Sequence, residues 1–168
     1  MKLTLFDHNP SLCEAWKVEF NGYEDVRVSC CELRDLPAHG CLVTAGNSYG
    51  IMNGGIDLAV RDMFGIELQD ALQWGIVQHY GGRLPVGVAL SFETGNPKFP
   101  KLLYLPTMEC PKQITTGDVY HLFYVLMYSI YNEDTVACPG IGTGAGGIGA
   151  EDAARMIREA WDEYRRRV

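Results

Sequence analysis

Apolar residues fall along this chain in two periods that replace each other from end to end. Residues 3–6 form a short apolar run that reads as a strand. Asn9-Pro10 then opens a helix, with Asn as its cap and Pro at the first helical position, and Leu12, Trp16 and Phe20 share one face. Residues 26–30 and 41–45 read as strands, and from Ile56 to about Tyr80 the spacing is helical, with a break near Gly65. Residues 86–91 and 102–106 are two further strands, separated by the turn residues Thr94, Gly95, Asn96 and Pro97. Residues 119–131 are apolar nearly all round, so a deeply packed helix is expected there, with His121 as a core histidine. Residues 135–138 read as a strand. Residues 151–167 form an amphipathic helix with Ala154, Ile157, Trp161 and Tyr164 inward and acids in its first turn. This alternation predicts an α/β fold in one domain over residues 1–168: a three-layer α-β-α sandwich whose mixed sheet is mostly parallel, with helices on both faces.

Composition narrows the function more than the fold. The chain has 168 residues, 47% of them hydrophobic and 21% charged, which suits one packed domain. The net charge of −7 argues against a nucleic-acid partner, because that affinity comes from Lys and Arg neutralising phosphates. Arg165, Arg166 and Arg167 are the only basic run and read as cations at a helix C-terminus. The longest apolar region is too short to span a bilayer. Met1-Lys2 leads straight into the first strand with no signal peptide, so a cytoplasmic protein with no membrane partner is expected. The cysteines, Cys13, Cys30, Cys31, Cys41, Cys110 and Cys138, form no CxxC pair and read as reduced, buried side chains. Cys31, His39 and Cys41 lack a fourth ligand at a zinc spacing, so no metal and no other cofactor is expected.

Two segments that follow strands have unusual composition. In "CPGIGTGAGGIG", residues 138–149, six of twelve residues are glycine and none is charged. Gly142-x-Gly144-x-x-Gly147 matches a dinucleotide fingerprint, but only one helix follows and no strand remains to carry the ribose-binding acid. A triphosphate P-loop fails because no Lys follows. A backbone cradle for a phosphate or pyrophosphate suits the chemistry best, built from Gly140, Ile141, Gly142, Thr143, Gly144, Ala145 and Gly146 and handing the ligand to the N-terminus of the last helix. A purely structural turn with close helix–sheet packing is the alternative. In residues 46–55, Asn47, Ser48, Tyr49 and Asn53 offer neutral hydrogen-bonding groups suited to a ribose, and Gly54-Gly55 permits close approach. Asp57 either caps the following helix and pairs with Arg61, or aims a carboxylate oxygen at a ligand. Asp7, just after the first strand, reads locally as a turn or helix-start acid.

The stretches "AGNSYGIMNGGID", residues 45–57, and "PGIGTGAGG", residues 139–147, resemble the two binding loops of the macrodomain, the ADP-ribose-binding module. The Asn-Ser-Tyr-Gly segment is similar to the branch found in bacteria and tailed phages. The resemblance implies a ligand, ADP-ribose or an ADP-ribosylated substrate. It implies that Asn47 hydrogen-bonds the distal ribose, with Ala45 and Gly46 in the same loop. Gly54, Gly55 and Ile56 would offer amides to that ribose and its phosphate. Asp57 would stand where active members carry an Asp, and residues 142–146 would wrap the pyrophosphate. Asp7 would accept the adenine amino group. Two positions depart from the active pattern: Thr44 stands where an Asn is usual, and Gly146 where an aromatic residue packs on the ribose. Tyr49 is the candidate to supply that aromatic face. The chemistry implied is hydrolysis at the distal ribose, of a mono-ADP-ribosyl ester, O-acetyl-ADP-ribose or ADP-ribose 1″-phosphate. Water would attack, with Asn47 and Asp57 as the catalytic pair. The alternative is a module that reads or sequesters ADP-ribose-type nucleotides without turnover.

Overall fold

The computed structural model describes residues 1–168. Strands and helices follow in the order β1 (Lys2–Asp7), α1 (Pro10–Glu19), β2 (Val26–Cys30), β3 (Cys41–Asn47), α2 (Gly55–Phe64), α3 (Ile66–Tyr80), β4 (Leu90–Glu93), β5 (Lys101–Met108), α4 (Thr116–Ile130), β6 (Thr135–Pro139) and α5 (Ala150–Arg167). A single turn of 3₁₀ helix, Leu33–Asp35, links β2 to β3. The strands form one six-stranded sheet in the order β2-β1-β6-β3-β5-β4. All neighbours are parallel except β4, which runs antiparallel to β5 at the edge.

Strand alternation divides the apolar residues between two cores. Leu3, Leu5, Cys41, Val43, Leu103, Leu105, Val136 and Cys138 pack under α1, α4 and α5. Phe6, Leu42, Leu102, Tyr104 and Ala137 point the other way, under α2 and α3. This is the three-layer sandwich expected from the pattern.

Three expectations change in detail. Residues 86–89 are not strand: Val88 N–H closes a turn on the Pro85 carbonyl, Gly87 sits at φ 84°, and β4 starts only at Leu90. Helix α4 buries Val119, Leu122, Phe123, Leu126, Met127 and Ile130, but its outer face carries exposed Tyr128, and His121 lies on the exposed side rather than in the core. Cys13, Cys41 and Cys138 are buried thiols, whereas Cys30 and Cys110 are exposed. No helix is long and apolar enough to cross a membrane.

Strand β6 arrives last and inserts between β1 and β3, so the chain-order of the strands reverses around it. In open parallel sheets the crevice at such a reversal, beyond the strand C-termini, is where ligands bind. The loops leaving β6 and β3 both open there.

Candidate binding and active site

A cavity of about 1050 Å³ runs along the C-terminal edge of the sheet. Asp7 from β1, Gly140, Gly142, Thr143, Gly144, Ala145 and Gly146 after β6, and Ala45, Gly46, Asn47, Asn53, Gly54, Gly55, Ile56 and Asp57 around β3 and α2 all line it. Segments far apart in sequence thus meet over one cleft.

The glycines of residues 138–149 do different work. A Cβ on Gly140 would fall 2.7 Å from Thr143 Oγ1 and 2.9 Å from Asp7 Oδ2, so its bareness lets these two polar groups close over the strand end. Gly142 sits at φ 79°, and a Cβ on it would meet the Val119 methyl at 2.7 Å. A Cβ on Gly146 would lie 2.6 Å from the Gly142 carbonyl, a backbone contact that cannot give way. Gly147 takes φ 73°, and its N–H bonds the Gly144 carbonyl. Gly144 is different: it has no left-handed φ and nothing of the protein lies within 4 Å of where its Cβ would be. The fold has no need of glycine at that exposed position. The N–H groups of Gly142, Thr143, Gly144, Ala145 and Gly146 donate to no acceptor within the protein.

Across the cavity lies the N-terminus of α2. Its cap is Gly54, which offers no side chain to the first-turn amides. The N–H groups of Gly55, Ile56 and Asp57 therefore have no partner and carry the positive end of the helix dipole. The sequence pointed to the last helix for this role. The structure places α5 elsewhere: Ile148 N–H folds back to the Gly142 carbonyl at 2.9 Å, and the residues from Gly147 onward leave the cavity wall.

Asp57 is buried, 4% exposed, and neither caps the helix nor pairs with Arg61, which leans on Asp62 instead. Thr44, fully buried in β3, donates its hydroxyl to Asp57 Oδ1 at 2.6 Å. A Cβ on Gly46 would collide with both Asp57 Oδ2 and the Tyr104 hydroxyl, so Gly46 is the gap into which both converge. Burial pushes the Asp57 carboxyl from 3.8 up to about 7, against the opposing pull of the Thr44 hydrogen bond. Burial holds the Tyr104 phenol far above its usual range, and the Asp57 charge adds to the same effect. The Tyr104 hydroxyl accepts from Asn47 N–H at 2.9 Å and donates to the Asn47 carbonyl at 2.7 Å, which pins the end of β3.

Asn47 serves its own loop. Its Oδ1 accepts from Tyr49 N–H at 3.0 Å and from Ile51 N–H at 3.3 Å, while Nδ2 donates to the Ile51 carbonyl at 2.8 Å. One Nδ2 hydrogen is left without a protein partner. The turn that Asn47 holds swings Tyr49 out of the cleft: its ring does not line the cavity, and its hydroxyl donates to Glu109 Oε1 at 2.9 Å, an oxygen shared with Arg83. Tyr49 therefore does not present its ring to the cavity. Ile141 is likewise outside the lining, because its side chain is fully buried in the core beneath α4 and α5.

The walls that sequence reasoning missed come from elsewhere. His8, Asn9 and residues 31–34 close the end beside Asp7, and Thr107, Met108 and Pro111 close the end beside Asn47. None carries a local signal; only the parallel register, which sets Asp7 opposite Cys30, brings residues 31–34 to the cleft.

Residues 43–157 match the family model described as Macro domain. A curated protein of Aquifex aeolicus (strain VF5), described as "Uncharacterized protein", is 30% identical over 122 residues, covering 70% of each chain. Among solved structures, the macrodomain of Mycobacterium tuberculosis DarG superposes with a TM-score of 0.69 at 22% identity, over 80% of this chain and 88% of that one. A mutant Oceanobacillus iheyensis macrodomain with ADPR superposes with a TM-score of 0.64 at 17% identity, over 74% of this chain and 70% of the other.

Proposed function

The chain belongs to the Macro domain family, and on that premise we propose that it binds ADP-ribose along the strand-end cavity and hydrolyses a group joined to the terminal ribose. One observation carries the reading. Two sets of unpartnered backbone N–H groups, Gly142 to Gly146 and Gly55 to Asp57, border a single cavity with a buried carboxyl beside one of them. Such amides suit a diphosphate, which needs donors and a helix dipole rather than side-chain cations. Gly144 and Gly54 fit the same reading: neither is required by the protein's own packing, and a bound ligand is what would occupy the space above them.

The order of strands, together with the roles the family resemblance implies for Asp7 and Asn47, supports one orientation of the ligand. The glycine loop follows central β6, so the diphosphate lies mid-cleft. The adenosine then lies toward β1 and β2, by Asp7, and the terminal ribose toward β3 and β5, by Asn47 and Asp57. Asp57, with a carboxyl poised near neutrality, takes a proton from water as general base. Thr44 holds one of its oxygens, and Tyr104 and Asn47 fix the loop above it. The amide cradle orients the nucleotide, and that positioning supplies much of the rate.

A second reading, a module that binds without turnover, draws support from Asn47, whose Oδ1 is already satisfied within its loop. One pair of measurements separates them. Calorimetry should show ADP-ribose binding more tightly than AMP or NAD, and incubation with a mono-ADP-ribosylated protein and with O-acetyl-ADP-ribose should release ADP-ribose. Binding without release of any product would leave the module reading; no binding would remove both.

A further inference from the structure

Two thiols meet behind the Asp7 end of the cavity, off its wall. Strand alternation in β2 sends Val26, Val28 and Cys30 to the face covered by α1, where Val26 and Val28 join the core. Cys13, in the first turn of α1, is fully buried against the same face. Its thiol donates to the Asp7 carbonyl at 3.2 Å, and Asp7 is the residue that pairs with Cys30 in the register of β1 on β2. The two sulfurs are close: burial first, and then the Cys30 thiol, push Cys13 up to about 12. Lys17, one turn further along α1, has its charge within range of both. Cys30 is exposed, so a reagent in solution reaches one member of the pair while the fold holds the other beneath it. The remaining thiols lack this pairing of access and proximity. Cys41 and Cys138 are sealed in the core, and the Cys31 thiol lies on Ser29 Oγ at 3.2 Å.

From this juxtaposition we infer that Cys13 and Cys30 form a site of reversible oxidation, cross-linked by exchange with a small-molecule disulfide, and that the cross-link weakens ADP-ribose binding. The second half rests on the proposed ADP-ribose reading. The exchange runs in two displacements. The Cys30 sulfur attacks the external disulfide, and one small thiol leaves. The Cys13 sulfur then attacks Cys30, and the second small thiol leaves. The two protein thiols are oxidised, the external disulfide is reduced, and the released thiols carry off the two protons. Because burial disfavours a Cys13 thiolate, the dithiol gains no stabilising charge, which favours the cross-link once it has formed. Asp7 connects the pair to the cavity. Its carbonyl is held by two donors, the Cys13 thiol and Cys31 N–H at 3.0 Å, and its carboxylate accepts from Asn9 N–H at 2.8 Å beside the cleft. A linked Cys13 no longer donates, and the bond draws the first turn of α1 toward β2. Leu12, the neighbour of Cys13, stands 2.8 Å from where a Cβ on Gly140 would fall, so the same movement reaches the start of the glycine loop.

The test treats the full chain with glutathione disulfide, blocks the remaining free thiols and maps linked peptides by mass spectrometry. A link between Cys13 and Cys30 should form, should be absent from Cys30→Ser, and should be removed by dithiothreitol. Calorimetry should then find ADP-ribose bound at least about fivefold more weakly by the oxidised wild type than by the reduced protein. Cys30→Ser, a change at an exposed position off the cavity wall, should bind alike under both treatments. Without ligand, the backbone amides of Asp7, His8 and Asn9 should shift on oxidation of the wild type and not of the variant. A glutathione adduct on Cys30 alone, or a link through another cysteine, overturns the inference. A link between Cys13 and Cys30 with unchanged ADP-ribose affinity overturns its second half. If the reduced protein does not bind ADP-ribose, the site reading falls, and the link and the amide shifts still decide whether the thiols form a site that moves Asp7.

Discussion

Residues 139–146 and residues 45–57 lie at the ends of neighbouring parallel strands, are both rich in glycine and contribute to the same cavity, yet they use glycine for different ends. After β6, glycine shapes backbone. Gly140, Gly142 and Gly146 are demanded by close contacts, Gly147 by its φ, and what the loop presents is a row of N–H groups. At the end of β3, the glycine that matters most is Gly46, whose missing side chain is the space where Asp57 and the Tyr104 hydroxyl converge. In the proposed reading, one loop is an anion cradle without side-chain chemistry. The other holds a buried carboxyl at a raised pKa. Binding and chemistry are thereby separable, and substitutions in the two loops should fail in different assays.

The largest effect belongs to Asp57. Asp57→Asn keeps the shape and an acceptor for Thr44 but removes the base, so kcat should fall by about 10²–10⁴ while ADP-ribose affinity changes little. The same variant reports on stability. Because burial lifts the native carboxyl from 3.8 to about 7, the folded chain binds more protons than the unfolded chain between those values. Stability therefore falls as pH rises through that window and stays low above it. Denaturant titrations should find Asp57→Asn more stable than wild type at pH 8, by up to about 4 kcal/mol, and equal to it near pH 3. A wild-type stability that rises from pH 4 to 7 faster than that of the variant would contradict the raised pKa.

In the glycine loop the sharp contrast is between neighbours of one chemistry. Gly146→Ala forces a Cβ onto the Gly142 carbonyl and should cost about 1–3 kcal/mol in chemical denaturation, with binding lost as the cradle distorts. Gly144→Val meets nothing in the protein and should shift stability by less than about 0.5 kcal/mol, yet weaken ADP-ribose at least about tenfold by filling ligand space. Equal stability losses in the two variants would erase the distinction between glycines kept for the fold and glycine kept for the ligand.

Smaller effects follow around the carboxyl. Thr44→Val keeps volume but withdraws the donor that pulls the Asp57 pKa down, so the acidic limb of the pH–rate profile should move to higher pH; Thr44→Ser should restore it. The smallest concerns Tyr49. Its hydroxyl ties an exposed ring to Glu109 outside the cleft, so Tyr49→Phe should alter ADP-ribose affinity less than about threefold in calorimetry, the weight of one exposed hydrogen bond.

What was legible in the sequence follows from how local each signal is. Strand and helix order and the two glycine-rich loops announce themselves within short windows, through periodicity and through composition no turn needs, while the roles of Asp7, Asn47 and Asp57 came from the family resemblance. The partners of those residues do not. Tyr104 pins Asn47 from 57 positions away, a contact made only by the pairing of β3 with β5. Thr44 reads as one more strand residue until alternation turns it toward α2, where it becomes the donor to Asp57. Tyr49, the aromatic put forward from the family resemblance, is turned outward where its N–H donates to Asn47 Oδ1 beside it. Which helix N-terminus opens onto the cavity depended on the sheet order, and chain proximity pointed to α5, which lies off the cavity wall, rather than to α2.

The most direct measurement is a titration of the ¹⁵N-labelled protein with ADP-ribose, following the backbone amides. Saturable shifts should concentrate on Gly55, Ile56 and Asp57 and on Gly142 through Gly146, with Glu151 and Asp152 at the start of α5 little moved. Saturable binding that leaves both amide sets unshifted, or that moves the α5 terminus instead, would contradict the opposed-loop cradle.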